Sequence, residues 1–387
     1  MKLLLHGAAL VAVLMIATSA GPIPMARAAG KQLETSPLDR LLPYVGPEGG
    51  PPTQLGAASA IAHYDEAVEQ QRIRSRVDQL LLMREEKDLQ SLDAWFETLR
   101  SSGEETGAGY SKLQMAYDYF DPRLTAPRQD LRYLFETVEK WQQLFPRSIS
   151  PRIVRGMLLR NLAHHAFVNM PEDKSADLES PQELVDRALE ELYADRGIAR
   201  QDSQWHALVM ELEAEREASV AKILELLDTG TRDFPKSMDV YKAAARAVAA
   251  VSQEPARDIQ AVALLAVARG GSDAYYTRVY NHIIAHLGGP QAVRALAIDW
   301  ARMRKGIAEI VERYPVQWNI QGFAVTSCSG GDAATTQALL AKVRGRPVRE
   351  LWGQIEYFDK CKEWAKSTTA ATGGSKSEKA VDKGQTP

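Results

Sequence analysis

The chain has 387 residues, 45% of them hydrophobic, and carries 47 basic against 50 acidic side chains. That composition supplies a real core and allows one large or two ordinary domains, which excludes a disordered chain. A formal charge of −3, with no long basic block, leaves no electrostatic footprint for phosphate backbones or anionic lipid, so no nucleic-acid partner is expected.

Residues 1–28 have the layout of a signal peptide. Lys2 forms a short positive start, Leu3 to Ala20 is nearly all apolar, and Gly21-Pro22-Ile23-Pro24 breaks a helix. Ala26-Arg27-Ala28 then puts small residues at the two positions a signal peptidase reads. Cleavage is expected before Ala29, which leaves 45 basic against 50 acidic side chains and a chain in the bacterial periplasm or outside the cell. The competing reading is an uncleaved anchor, because an apolar run of 18 residues is just long enough to span a bilayer. No cysteine follows the run, which rules out a lipoprotein anchor, and no second apolar run of that length occurs. No membrane span is therefore expected after cleavage.

Residues 29–57, with Gly46-Pro47-Glu48-Gly49-Gly50-Pro51-Pro52, read as a flexible linker. A helical-repeat domain is expected over 58–366. Within it Leu80, Met83, Leu89, Leu92, Trp95, Phe96 and Leu99 recur at helical spacing, as do Leu131, Leu134, Phe135, Val138, Trp141, Leu144 and Phe145. Ser150-Pro151 and Ser180-Pro181-Gln182-Glu183 are helix starts, the latter with a capping serine, a proline at the first helical position and a glutamate at the third. Further boundaries fall at Gly270-Gly271, Gly288-Gly289-Pro290 and Gly345-Arg346-Pro347. No strand alternation of any length occurs. Residues 367–387, rich in Ser, Thr, Gly and Lys, read as a disordered tail.

Three segments echo one another: Phe145-Pro146-Arg147-Ser148, Phe234-Pro235-Lys236-Ser237 and Tyr314-Pro315-Val316-Gln317. Each follows one apolar-periodic helix and precedes another, so each reads as the elbow of an αα-hairpin, its aromatic packing back on the first helix while the proline stops that helix. Small residues on the second helices, Gly156, Ala245 and Ala324, permit close approach. The spacings of 89 and 80 residues are too long and irregular for a simple repeat. The expected fold is all-α: stacked αα-hairpins in a degenerate tetratricopeptide-like solenoid.

Leu92-Asp93 onward to Gly109, Leu113 and Tyr117, then Pro146, Ser148, Arg152, Gly156 and Leu159, together resemble the bacterial family called domain of unknown function 4034. The likeness continues through Trp205 and Tyr276-x-Arg278-Val279-Tyr280. Its most specific block is Trp318-Asn319, Phe323-Ala324, Cys328, Gly331-Asp332, Trp352, Cys361 and Trp364-Ala365. The resemblance covers roughly residues 75–366 and implies a helical fold with no assigned activity; its agreement on both cysteines favours treating them as one structural unit.

Only two cysteines exist, and in an oxidising compartment an isolated pair is more often bridged than free. A disulfide Cys328–Cys361 is expected, worth about 3 to 4 kcal/mol on the chain-entropy estimate; two buried free thiols are the alternative. His282 and His286, four apart, share a helix face at metal-ligand spacing, but Ile283 stands where the zincin pattern has its glutamate. His164 and His165, adjacent, point about 100° apart on a helix and cannot readily chelate one ion. Gly103-Glu104-Glu105-Thr106-Gly107-Ala108-Gly109 is too acidic for a phosphate loop, and no nucleophile elbow occurs. Seven tryptophans read as core by period. No catalytic residue, metal or cofactor is expected, and no binding residue is identified. The leading functional reading is an exported, non-catalytic helical scaffold that binds a protein or peptide in the cell envelope. The alternatives are an envelope enzyme of unrecognised class and a small-ligand binding protein.

Overall fold

A computed structural model of the chain describes residues 66–82, 85–120, 131–169, 179–194, 197 and 200–378. The expected signal peptide, the linker and residues 379–387 lie outside the described residues. Sixteen α-helices, one 3-10 helix and no strand occur among them, so the chain is all-helical. None of these helices is long and apolar enough to cross a membrane.

The described helices fall into two compact units, 66–271 and 272–378, where the sequence suggests one domain over 58–366. The break falls at Gly271, which caps the preceding helix in the left-handed region at φ 80°, where a side chain would be strained.

The first unit contains α1 (Glu66–Leu82), α2 (Glu86–Ser102), α3 (Lys112–Asp118), α4 (Leu131–Leu144), α5 (Ser150–Asn169), α6 (Pro181–Tyr193), α7 (Ser203–Glu215), α8 (Val220–Asp233), α9 (Met238–Val251) and α10 (Pro255–Gly270). Sequence neighbours pack as hairpins, α5 with α6, α7 with α8 and α9 with α10, and α9 also lies along α7. This is the packing of a helical repeat array. The buried stripes predicted from spacing are present: Leu89, Leu92, Phe96 and Leu99 on α2 are buried, and Trp141 on α4 is fully so. The Phe96 ring meets Tyr117 at 4.9 Å and Trp141 at 5.6 Å, while the Trp141 indole donates to Asp93 at 2.9 Å.

The second unit contains α11 (Asp273–His286), a 3-10 helix (Gly289–Ala295), α12 (Trp300–Arg313), α13 (Gln317–Ser329), α14 (Ala333–Leu340), α15 (Arg349–Trp352) and α16 (Ile355–Glu378). Tyr276, Tyr280 and Phe323 are its large fully buried side chains. The last helix runs through 367–378, where the sequence suggests a disordered tail. Ala365 is buried, and Thr369 returns its hydroxyl hydrogen to the Ala365 carbonyl at 2.7 Å. A Ser- and Thr-rich stretch thus continues a helix already anchored by packing.

All three aromatic–proline segments are elbows. The amides of Phe145, Phe234 and Tyr314 close the last turn onto Trp141, Gly230 and Ile310 at 3.0, 2.9 and 2.7 Å. The prolines that follow have no N–H to continue the ladder. The rings themselves behave differently from the sequence expectation. Phe234 lies 5.7 Å from the His206 ring of α7, and Arg278 of α11 sits 6.0 Å from the Tyr314 ring. In these two cases the aromatic reaches the helix that precedes the one it terminates, and so ties consecutive helices together. The Ser180 capping box is complete, with Ser180 and Glu183 satisfying each other's backbone amides at 3.2 and 2.7 Å.

Candidate functional site

Cys328, at the end of α13, and Cys361, on α16, stand at bonding distance with their Cα atoms 5.9 Å apart. Cys361 is buried, while Cys328 is half-buried. His282 is half-buried and His286 exposed on α11. Among the described residues no group of three or more His, Cys, Asp or Glu side chains is placed to hold a metal ion. His164 lies 3.3 Å from Glu215. The Gly103–Gly109 stretch is a structural connection: Thr106 donates to the Glu66 carboxylate at 3.0 Å, and Lys112 pairs with Glu104 at 3.2 Å. Trp141, Trp205 and Trp352 are buried, whereas Trp95, Trp300, Trp318 and Trp364 are half-buried.

A depression of about 660 Å³ opens beside the disulfide in the second unit. The α16 helix contributes Tyr357, Lys360, Cys361 and Trp364, a spacing of three and four that keeps all four on one side of the helix. The end of α13 contributes Cys328 and Ser329, and the 3-10 helix contributes Arg294. Arg294 and Lys360 are exposed, and neither forms an ion pair with a carboxylate among the described residues. Ser329 donates to the Val325 carbonyl at 2.8 Å and lies 2.9 Å from the Tyr357 hydroxyl.

Two glutamines of α13 tie that helix to the segment between α14 and α16. Gln317 accepts from the Arg344 amide at 2.9 Å and donates to the Lys342 carbonyl at 3.2 Å. Gln321, one turn on and 1% exposed, accepts from the Val348 amide at 2.7 Å and from the Trp352 indole at 3.1 Å. The Trp352 ring in turn meets Phe358 edge-on at 5.0 Å, which fixes the first turn of α16. Gly330 is a glycine because a Cβ there would lie 1.9 Å from the Trp300 ring.

The charged clusters of the first unit are satisfied internally. Asp202 is fully buried and accepts from the Arg100 guanidinium at 2.8 Å and the Tyr117 hydroxyl at 2.9 Å. Arg100 also reaches Ser150 at 2.6 Å. Burial opposes the Arg100 charge, but Tyr117 and Asp202 outweigh it and hold the guanidinium firmly protonated. Burial, then Asp202, pushes the Tyr117 phenol well above its usual range. A second cluster joins three alternate helices: Glu211 of α7 pairs with Arg160 of α5 and Arg246 of α9, and Glu215 pairs with Arg160 at 2.7 Å. Burial would raise Glu215, yet Arg160 and His164 prevail and hold it at about 2. These are ties between helices, with each carboxylate already matched by a cation. A second depression, of about 490 Å³ and lined by α6 and Arg216, has its cation paired with Asp186 at 2.9 Å.

Neither Arg294 nor Lys360 is marked by any motif in the sequence. The three- and four-residue spacing of Tyr357, Cys361 and Trp364 carries a signal, but it reads equally well as core. No protein-family model, curated protein or solved structure matches this chain, which leaves the family likeness resting on its motif residues alone.

Proposed function

We propose that the chain is an exported, non-catalytic helical scaffold that binds a protein or peptide in the bacterial envelope or outside the cell. One observation carries this reading: the disulfide-floored depression of the second unit, where two cations without carboxylate partners among the described residues flank half-buried aromatic rings. Aromatic and arginine side chains are the groups enriched where proteins bind one another. Asp202 and Glu211, buried carboxylates of the first unit, are matched by neighbouring arginines, which favours a scaffold over an enzyme. A bridged cysteine pair suits the oxidising compartment that the N-terminal segment suggests. A small organic ligand is the second reading, supported by a volume within the usual range for such sites.

The reading is tested in the native host with a photo-crosslinking residue placed in turn at positions 294, 360 and, as a control, 264 in the first unit. Leu264 is a suitable control because it is an exposed apolar side chain, 41% accessible. Discrete protein adducts at 294 and 360 but not at 264, on a chain whose sequenced first residue is Ala29, are the expected outcome. Equal labelling at all three positions, or no adduct at 294 and 360, overturns it.

A further inference from the structure

We infer that the depression beside Cys328–Cys361 is a carboxylate site, taking a peptide segment that carries a carboxylate next to an apolar or aromatic side chain and a backbone N–H. The inference rests on the scaffold reading for the word peptide, and on the following geometry for the rest.

Charge comes first. Arg294 and Lys360 approach the depression from different elements, the 3-10 helix and α16, and both are exposed. Glu356 stands one turn before Lys360 on α16, at the spacing of a helix ion pair, yet no bond joins them. Among the described residues no carboxylate occupies either cation, which leaves both to an anion from outside. Arginine presents a planar fork that matches a carboxylate two-to-two, and lysine adds a mobile point charge.

The hydroxyls then narrow the class of anion. With the single Ser329 hydrogen assigned to the Val325 carbonyl, the tyrosine is the donor in the Ser329–Tyr357 contact at 2.9 Å. Tyr357 thereby faces the depression with acceptor lone pairs and no hydrogen to give. A sulfate or a dianionic phosphate ester, all acceptors, would meet those lone pairs unfavourably. A carboxylate with an N–H beside it satisfies both the cations and the tyrosine oxygen, and that pairing is present in a peptide at its C-terminal residue or at an internal Asp or Glu. The half-buried Trp364 ring and the disulfide offer an apolar wall for the neighbouring side chain.

The test measures fluorescence anisotropy of labelled Gly- and Ser-based hexapeptides on the full mature chain. One peptide ends in Phe with a free carboxylate, one is the same peptide amidated, and one is amidated with an internal Glu-Phe pair. Tighter binding of either carboxylate peptide than of the charge-free amide, by about tenfold or more, is expected, and the two carboxylate peptides distinguish a chain terminus from an acidic side chain. Arg294→Gln and Lys360→Gln should each weaken that binding several-fold, with circular dichroism unchanged because both positions are exposed. Arg294→Lys should recover part of the loss. Inorganic sulfate should compete less well than N-acetylglycine, whose carboxylate has an N–H beside it. Equal affinity for all three peptides, indifference to both substitutions, or sulfate outcompeting N-acetylglycine overturns the inference. Cross-linking that persists at 294 and 360 while no carboxylate preference is found overturns the carboxylate assignment and keeps the scaffold. A carboxylate preference without any protein adduct does the reverse.

Discussion

Asp202 shows how much one buried carboxylate can organise. It caps α7 by accepting from the Gln204 amide at 2.8 Å while its other oxygen takes Arg100 and Tyr117, so the start of α7 is tied to α2 and α3. Asp202-Ser203 is a legible helix start, but nothing local marks Arg100 as its partner, because 102 residues separate them. His206, on the same helix, is 2% exposed and packs its ring 4.9 Å from Trp205. Burial, above all, lowers its pKa to about 4, against about 6.5 in an unfolded chain. Between those values the unfolded chain binds more protons than the folded one, so stability is lost as pH falls from 6.5 toward 4. The single-site effect amounts to about 2 to 3 kcal/mol at pH 4.5. His206→Leu should remove that increment, so urea unfolding at pH 7 and pH 4.5 should show a shallower acid loss in the variant. Parallel losses in the two proteins would rule out the histidine as the cause.

At the scale of helices, the elbows were readable because each is local: an aromatic closing a turn, then a proline that cannot continue it. The crossing between α11 and α12 was not readable, since it depends on which residues meet across 33 positions. A Cβ on Gly306 would fall 2.1 Å from the Asp273 carbonyl oxygen and 2.2 Å from the Thr277 hydroxyl. These helices touch through backbone, and Thr277 donates to the Met303 carbonyl at 3.2 Å across the contact. Gly322, inside α13, is different: an added Cβ would meet only the Leu351 methyls, at 3.7 Å and beyond. Gly306→Ala should therefore destabilise by about 1 to 3 kcal/mol through overpacking. Gly322→Ala should be neutral or stabilise by up to about 1 kcal/mol from helix propensity. Similar shifts of thermal midpoint for the two variants would contradict the close crossing. The sequence suggests a tail where α16 continues, for a related reason: Ser and Thr composition is a statement about solvation, while Ala365 is held by burial that only the folded unit supplies.

Across the whole chain, the two units differ in how they are held. The first relies on long-range charged ties and an aromatic core, and the second adds a covalent link between α13 and α16. The cysteine pairing was legible because only two cysteines exist, whereas the depression it floors needed the folded positions of three elements. Replacing both cysteines by serine should lower the stability of the second unit by about 3 kcal/mol. Hydrogen exchange should rise across 272–378, most of all in α16, with 66–271 unchanged. Loss of protection throughout the first unit as well would mean that the two do not behave as separate cooperative bodies.

The Arg100–Asp202 tie also sets an order of events on a growing chain. Arg100, Tyr117 and Ser150 emerge well before the carboxylate that completes them, and the only earlier counter-charge bonded to Arg100 among the described residues is Glu97, whose side chain is 67% exposed. Closing the surrounding helices at that stage would desolvate a guanidinium without its buried partner, a cost of several kcal/mol. Residue 202 therefore completes the tie: without it, packing α2, α3 and α5 around Arg100 carries that cost, and with it the buried carboxylate offsets it.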